Sequence, residues 1–219
     1  MRAALTTLSF FVLTLNAINH SAQADGMTIT LQGNGHGAPA CVTCHGAHGE
    51  GIPANGFPRL AGLNTTYLMT QLDAFANGQR INPIMSPIAQ TLSKEDRAAV
   101  ATYYASLNNE ATVPVPVAVK NSPGELLATK GRWSKGLPAC VQCHGEMGSG
   151  VGTAFPALAG QSSVYIENQL RAWQKGTRAP GPLGLMKVIA SKLSETDIHE
   201  VATYFSTLPP GNHSGRVEP

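Results

Sequence analysis

The chain has 219 residues, 42% of them hydrophobic and 13% charged, with a formal net charge of +2. That length buries a real core in one large domain or two small ones. So even a charge balance excludes a nucleic-acid binder, whose basic face would show in the composition.

Residues 1–24 carry one early cation, Arg2, an apolar run from Leu5 to Ala17, and the small-x-small ending Ala22-Gln23-Ala24. This is the pattern of a secretory signal peptide cut before Asp25. A retained anchor fits less well, because the run falls short of the roughly 20 apolar residues that a spanning helix needs. No later segment is long and apolar enough to span a bilayer, so a periplasmic protein, soluble or loosely associated with the membrane, is expected. Met27-Thr28-Ile29-Thr30-Leu31-Gln32 is a β-branched alternation running into Gly33-Asn34-Gly35. That favours an extended arm over a helix.

The chemistry begins at Cys41-Val42-Thr43-Cys44-His45-Gly46, which returns 99 positions later as Cys140-Val141-Gln142-Cys143-His144-Gly145 and uses all four cysteines. A disulfide framework would suit an oxidising compartment but leaves both histidines unexplained. A thioredoxin-like motif needs a βαβ context and no histidine. A zinc site would be one ligand short in each cluster. In c-type haem attachment both thiols add to the haem vinyl groups and the adjacent histidine supplies an axial nitrogen, so every group has a role. Two covalently attached haem c groups are therefore expected.

Downstream, the two copies stay in step. Phe57-Pro58-Arg59-Leu60-Ala61-Gly62 matches Phe155-Pro156-Ala157-Leu158-Ala159-Gly160, and Tyr67, Gln71, Leu72, Gly78 and Arg80 match Tyr165, Gln169, Leu170, Gly176 and Arg178 at an offset of 98. The chain is a tandem duplication. Asn64 and Ser93 cap predicted helices in the first copy, as Ser162 and Ser194 do in the second. Val113-Pro114-Val115-Pro116-Val117 is a stiff linker, and Ser122-Pro123-Gly124-Glu125 starts the second copy's first helix.

Each copy holds one methionine at a matched place, Met85, 40 residues after His45, and Met186, 42 after His144. Methionine is more often core filler than ligand. These two, however, are expected in the Pro- or Gly-rich loops Asn82-Pro83-Ile84-Met85 and Pro180-Gly181-Pro182-Leu183-Gly184-Leu185-Met186 rather than on an apolar helix face. A thioether opposite histidine is a known haem pairing that raises the potential, which makes both candidate axial ligands. Arg80 and Arg178, at matched positions, are candidate partners of haem propionates, with a plain exposed arginine as the alternative. His48 and His199 are expected at the surface.

These motifs, in tandem and over nearly all of the mature chain, resemble the class I cytochrome c fold and the diheme cytochromes c of the cytochrome c4 type. The resemblance implies a mainly α fold: a domain over 25–110, a linker over 111–122, a domain over 123–210 and a tail over 211–219. It makes Cys41, Cys44, Cys140 and Cys143 the thioether sites, His45 and His144 the proximal ligands, and Met85 and Met186 the distal ones. It also implies that the carbonyls of Pro58 and Pro156 accept a hydrogen bond from the histidines' other ring nitrogen.

With both axial positions filled, the iron has no site for substrate, and one-electron transfer follows. No catalytic residue is assigned. The expected partners are redox proteins: a quinol-oxidising complex or dehydrogenase as donor, a terminal oxidase as acceptor. The alternatives are a dedicated cytochrome subunit of a periplasmic dehydrogenase, or a diheme enzyme such as a peroxidase or thiosulfate-oxidising cytochrome.

Overall fold

A computed structural model describes residues 25–107, 119–179 and 181–210. The expected signal peptide, most of the linker and the tail lie outside these described residues. Among them the regular structure is helical, apart from four isolated bridges.

The N-terminal domain contains α1 (Gly26–Gln32), α2 (Val42–His45), α3 (Thr65–Ala76), α4 (Met85–Thr91) and α5 (Lys94–Ser106). The C-terminal domain repeats the order as α6 (Pro123–Lys130), α7 (Val141–His144), α8 (Ser163–Lys175), α9 (Leu185–Ser191) and α10 (Glu195–Ser206). The capped starts expected from the sequence are present. Asn64 and Ser162 accept from the backbone amides of Tyr67 and Tyr165, and Ser93 and Ser194 form capping boxes with Asp96 and Asp197.

Residues 27–32 correct the sequence reading: they are helical, not extended. Asp25 caps the helix by accepting from the Thr28 amide, and the buried positions Gly26, Ile29 and Thr30 follow the helical period that the β-branched alternation obscured. Tertiary packing overrides propensity here. α1 crosses the closing helix α5 so tightly that a Cβ on Gly26 would run into the Ala99 carbonyl, and Gly124 of α6 meets the Glu200 carbonyl of α10 in the same way. Glycine at that place lets the opening helix dock on the closing one in both domains.

The two domains meet through matched residues of the two copies. Arg80 and Arg178 face each other in an antiparallel bridge, with Ile81 N donating to Thr177 O at 2.8 Å and Ala179 N to Gln79 O at 2.7 Å. Gln161 adds a second tie, accepting from the Arg59 amide and donating to its carbonyl, both at 3.0 Å. Each domain has its own core, centred on Ile29, Leu68, Val100 and Tyr104 in the first and on Leu127, Leu137, Ile198 and Phe205 in the second. Neither core closes on itself; each wraps one side of a large cavity.

Candidate functional site

The two cavities are each about 440 Å³, within the range of small-molecule and cofactor sites. The first is lined by Cys41, Cys44, His45, Pro58 and Met85, the second by Cys140, Cys143, His144, Pro156 and Met186. The structure thus brings together, within each domain, the residues that the sequence separates by more than 40 positions. Their walls are otherwise largely apolar: Leu68, Leu72, Phe75 and Ile88 in the first, Ile166, Leu170, Trp173 and Ile189 in the second.

Local geometry explains the spacing of the cysteine motif. α2 is one turn long, and so is α7: the first cysteine of each motif is the N-cap and the second cysteine and the histidine end the turn, which brings all three side chains together. Gly46 ends the first at φ 83° and Gly145 the second at φ 79°, a conformation that glycine adopts without Cβ strain. No disulfide joins any of the four cysteines, so the disulfide reading has no support. Burial pushes the Cys140 thiol up to about 11 and raises Cys41 as well.

His45 and His144 are 6% exposed, and their Nδ1 atoms lie 3.0 Å from Pro58 O and 2.8 Å from Pro156 O. Burial lowers both imidazole pKa values, with the proline carbonyls opposing it. A neutral ring whose Nδ1–H donates to a carbonyl keeps Nε2 as the nitrogen able to bind a metal. The two methionines begin short helices rather than occupying loops. Met85 opens α4, its amide held 2.8 Å from Asn82 Oδ1, and Met186 is the second residue of α9. Among the described methionines no other lines either cavity; Met69 packs in the first core and Met147 is exposed. His48 and His199 are at the surface, as expected, with His199 Nδ1 beside Glu167 at 2.9 Å.

Arg80 and Arg178 are not surface arginines. They are 5% and 8% exposed, and each lines both cavities. Arg80 stacks over Phe75 at 4.3 Å and Arg178 over Trp173 at 4.0 Å. Around them runs a ladder the sequence analysis did not assign. Arg80 donates to Gln71 (2.9 Å), Tyr165 (2.8 Å) and Gln169 (2.5 Å), while Arg178 donates to Gln169 (3.0 Å), Gln71 (2.9 Å) and Tyr67 (3.3 Å). The recurrence of Tyr67, Gln71, Tyr165 and Gln169 in both copies was the available signal. Each domain supplies half of a shared network, one tyrosine, one glutamine and one arginine, which accounts for the recurrence of these three residues in both copies.

The residues present fit haem. Among the described residues neither buried guanidinium reaches a carboxylate within ion-pair distance. Two like charges in a low-dielectric interface call for an anion, and burial and Arg80 together lower the pKa of Arg178. A planar macrocycle with two thiol-reactive substituents, a central metal and two carboxylates would match the apolar walls, the cysteine pair, the histidine and the arginines.

Comparison with known proteins agrees. The family model for cytochrome c matches residues 31–108. The thiosulfate dehydrogenase electron acceptor of Thiomonas intermedia is 46% identical over 173 residues, covering 78% of this chain and 80% of that protein. Cytochrome c4 of Pseudomonas aeruginosa is 38% identical over 78% of this chain and 85% of its own length. In the solved structure of thiosulfate dehydrogenase from Marichromatium purpuratum, a segment is 44% identical with a TM-score of 0.79; the match covers 84% of this chain but 40% of that longer one.

Proposed function

The chain belongs to the cytochrome c family as a diheme member of the cytochrome c4 type, and on that premise we propose that it accepts electrons from a thiosulfate dehydrogenase in the periplasm and passes them to a further redox protein. It is a two-haem electron-transfer protein, with covalent attachment at Cys41 and Cys44 and at Cys140 and Cys143. Bound haem c supplies a one-electron ferric/ferrous couple.

What this chain's residues contribute is ligation, exclusion of water and charge compensation. His45 and His144, oriented by the Pro58 and Pro156 carbonyls, would hold the iron from one side. Met85 and Met186 would supply the second ligand in each domain, which would leave no exchangeable site and suit a carrier that does not itself oxidise a substrate. Arg80 and Arg178 would pair with the propionates, and the Tyr67, Gln71, Tyr165 and Gln169 side chains keep both guanidiniums in place.

The observation that carries the choice of donor is the 44% identity, across both haem domains, to a segment of a chain that is itself a thiosulfate dehydrogenase. A carrier similar to part of a donor's own polypeptide is suited to that donor. It also favours the dedicated dehydrogenase subunit over the general shuttle to a terminal oxidase. Stopped-flow mixing of the oxidised diheme protein with a thiosulfate dehydrogenase and thiosulfate tests this: both haems are expected to be reduced at the enzyme's turnover rate. Reduction no faster than by thiosulfate alone would overturn the assignment of donor and leave the electron-transfer function intact.

A further inference from the structure

The two copies part most clearly at the turn that leads into the second methionine. Met85 lies five residues after Arg80, but Met186 lies eight after Arg178, so the second copy is three residues longer there. Leu183 belongs to that longer turn. It is 92% exposed, and its backbone is left-handed, with φ 54° and ψ 11°. A leucine is strained in that conformation, which glycine adopts freely. A large apolar side chain held out in solvent on a strained backbone is the kind of outlier that marks a functional contact.

Leu183 has apolar company. In α9, Leu185, Val188 and Lys192 share one outward side at helical spacing, while Ile189, Ala190 and Leu193 pack on the core. Leu185 and Val188 are both exposed, and Leu185 is also part of the second cavity's wall. Lys192 Nζ donates to Gly136 O at 2.9 Å, which ties α9 to the 3-10 turn Trp133–Lys135. Trp133 is 63% exposed.

The cations around these groups are Lys135, Lys187 and Lys192, all exposed. Among the described residues none of the three lies within ion-pair distance of a carboxylate, and neighbouring Arg132 is already paired with Asp197. The first domain has no such rim: at the matched places it carries Ser86, Pro87 and Thr91, and Gly35 and His36 stand where the second copy has the Trp133 turn.

We propose that this face of the C-terminal domain, Leu183, Leu185, Val188 and Trp133 within a rim of three lysines, docks an acidic redox protein whose contact surface sets carboxylates around an apolar centre. The inference rests on the electron-transfer reading and on no particular donor. Charge complementarity selects the occupant, because unpaired lysines at a rim speed the encounter with an acidic partner more than they tighten the complex. The tryptophan and aliphatic groups supply the water-excluding centre that holds it. An anionic lipid surface offers similar chemistry, but Leu185 favours a protein. As a wall of the second cavity it places a seated partner next to the cofactor's site, where an electron is exchanged; a lipid surface would only cover that opening.

Stopped-flow reduction of the full diheme protein by an acidic flavodoxin in its hydroquinone form tests the face with a one-electron donor of known charge. Lys135→Glu with Lys187→Glu should slow the second-order reaction about tenfold at low ionic strength and flatten its salt dependence. Lys192 is spared because it braces Gly136. The control pair Lys94→Glu with Lys120→Glu makes the same change in net charge at exposed positions, one in the other domain and one at the far end of α6, and should slow the reaction far less. Leu183→Gly separates docking from folding. It relieves the left-handed strain, so the holoprotein should unfold no earlier in denaturant than the parent, yet the reaction should slow at low and high ionic strength alike. Lysine reversal that slows the reaction no more than the control pair, or Leu183→Gly with an unchanged rate, would overturn the proposal. Loss of binding to phosphatidylglycerol vesicles by the lysine variant, with its flavodoxin rate equal to the control's, would overturn it in favour of lipid. Each outcome holds whether or not a thiosulfate dehydrogenase proves to be the donor.

Discussion

At the end of the opening helix the two domains solve one problem in different ways. In the C-terminal domain Arg132 clamps Asp197 of the α10 capping box, with Nη2 2.8 Å and Nη1 3.1 Å from its two carboxylate oxygens. In the N-terminal domain the corresponding pair is Asn34 and Asp96. Asn34 Nδ2 donates to Thr91 O at 2.7 Å and only grazes Asp96 at 3.5 Å, while its Oδ1 accepts from the amides of His36 and Ala38. One domain joins opening loop to closing helix by a charge pair, the other by a neutral amide. Yet the cysteine pair, the histidine, the methionine, the glycine of the helix crossing and the interface arginine are the same in both. The attachment, ligand and interface groups are held fixed; groups that only brace the shell are interchangeable chemistry with similar reach.

That division is easiest to break at the ligands. Met85→Ala and Met186→Ala should each remove about half of the weak near-infrared band of sulfur-ligated ferric haem and leave one haem high-spin, because in each domain the thioether opposes the histidine. A variant that keeps the band at full strength would show that its methionine is not a ligand. A smaller and more shared effect is expected at the interface. Each arginine lines both cavities, so Arg80→Gln and Arg178→Gln should lower both haem potentials together. Loss of these charged hydrogen bonds should also cost about 1.5–3 kcal/mol of stability, measured by denaturant unfolding of the holoprotein. Potentials unmoved by either change would remove the pairing with propionates.

Much of this was legible in the sequence because the duplication supplied an internal control: a motif that recurs at matched spacing is a site, and both CxxCH strings, both prolines and both methionines could be paired by position alone. α1 was misread for a physical reason. Its Thr28, Ile29 and Thr30 favour a strand locally, and what makes them helical is the Gly26 contact with α5, a tertiary fact that single-sequence periodicity does not contain. The interface was hidden for a related reason. Arg80 and Arg178 stand out in the sequence as candidate propionate partners, with a plain exposed arginine as the alternative, but that each one is buried and crosses to the other domain's tyrosine and glutamine depends on how the two copies dock.

The Arg132–Asp197 clamp offers a last and smaller distinction between the domains. Burial by itself would push the Asp197 carboxyl up, but hydrogen bonds from Arg132 and Ser194 outweigh it and hold the pKa at about 2, against an ordinary 3.8. A carboxylate whose folded pKa is depressed adds stability that is fully present above its unfolded pKa and is lost as pH falls through the folded one. The contribution should therefore be complete at pH 5 and above and fade between about pH 4 and pH 2. Arg132 is partly exposed, so screening reduces it to about 1 kcal/mol. Asp197→Asn should lower the unfolding midpoint of the holoprotein near neutral pH, with the gap to the parent closing as pH drops toward 2. Asp96→Asn, which has no guanidinium to lose, should cost less. If the Asp197 gap stays constant down to pH 2, the clamp acts through neutral hydrogen bonding, and the two domains are braced by the same physics after all.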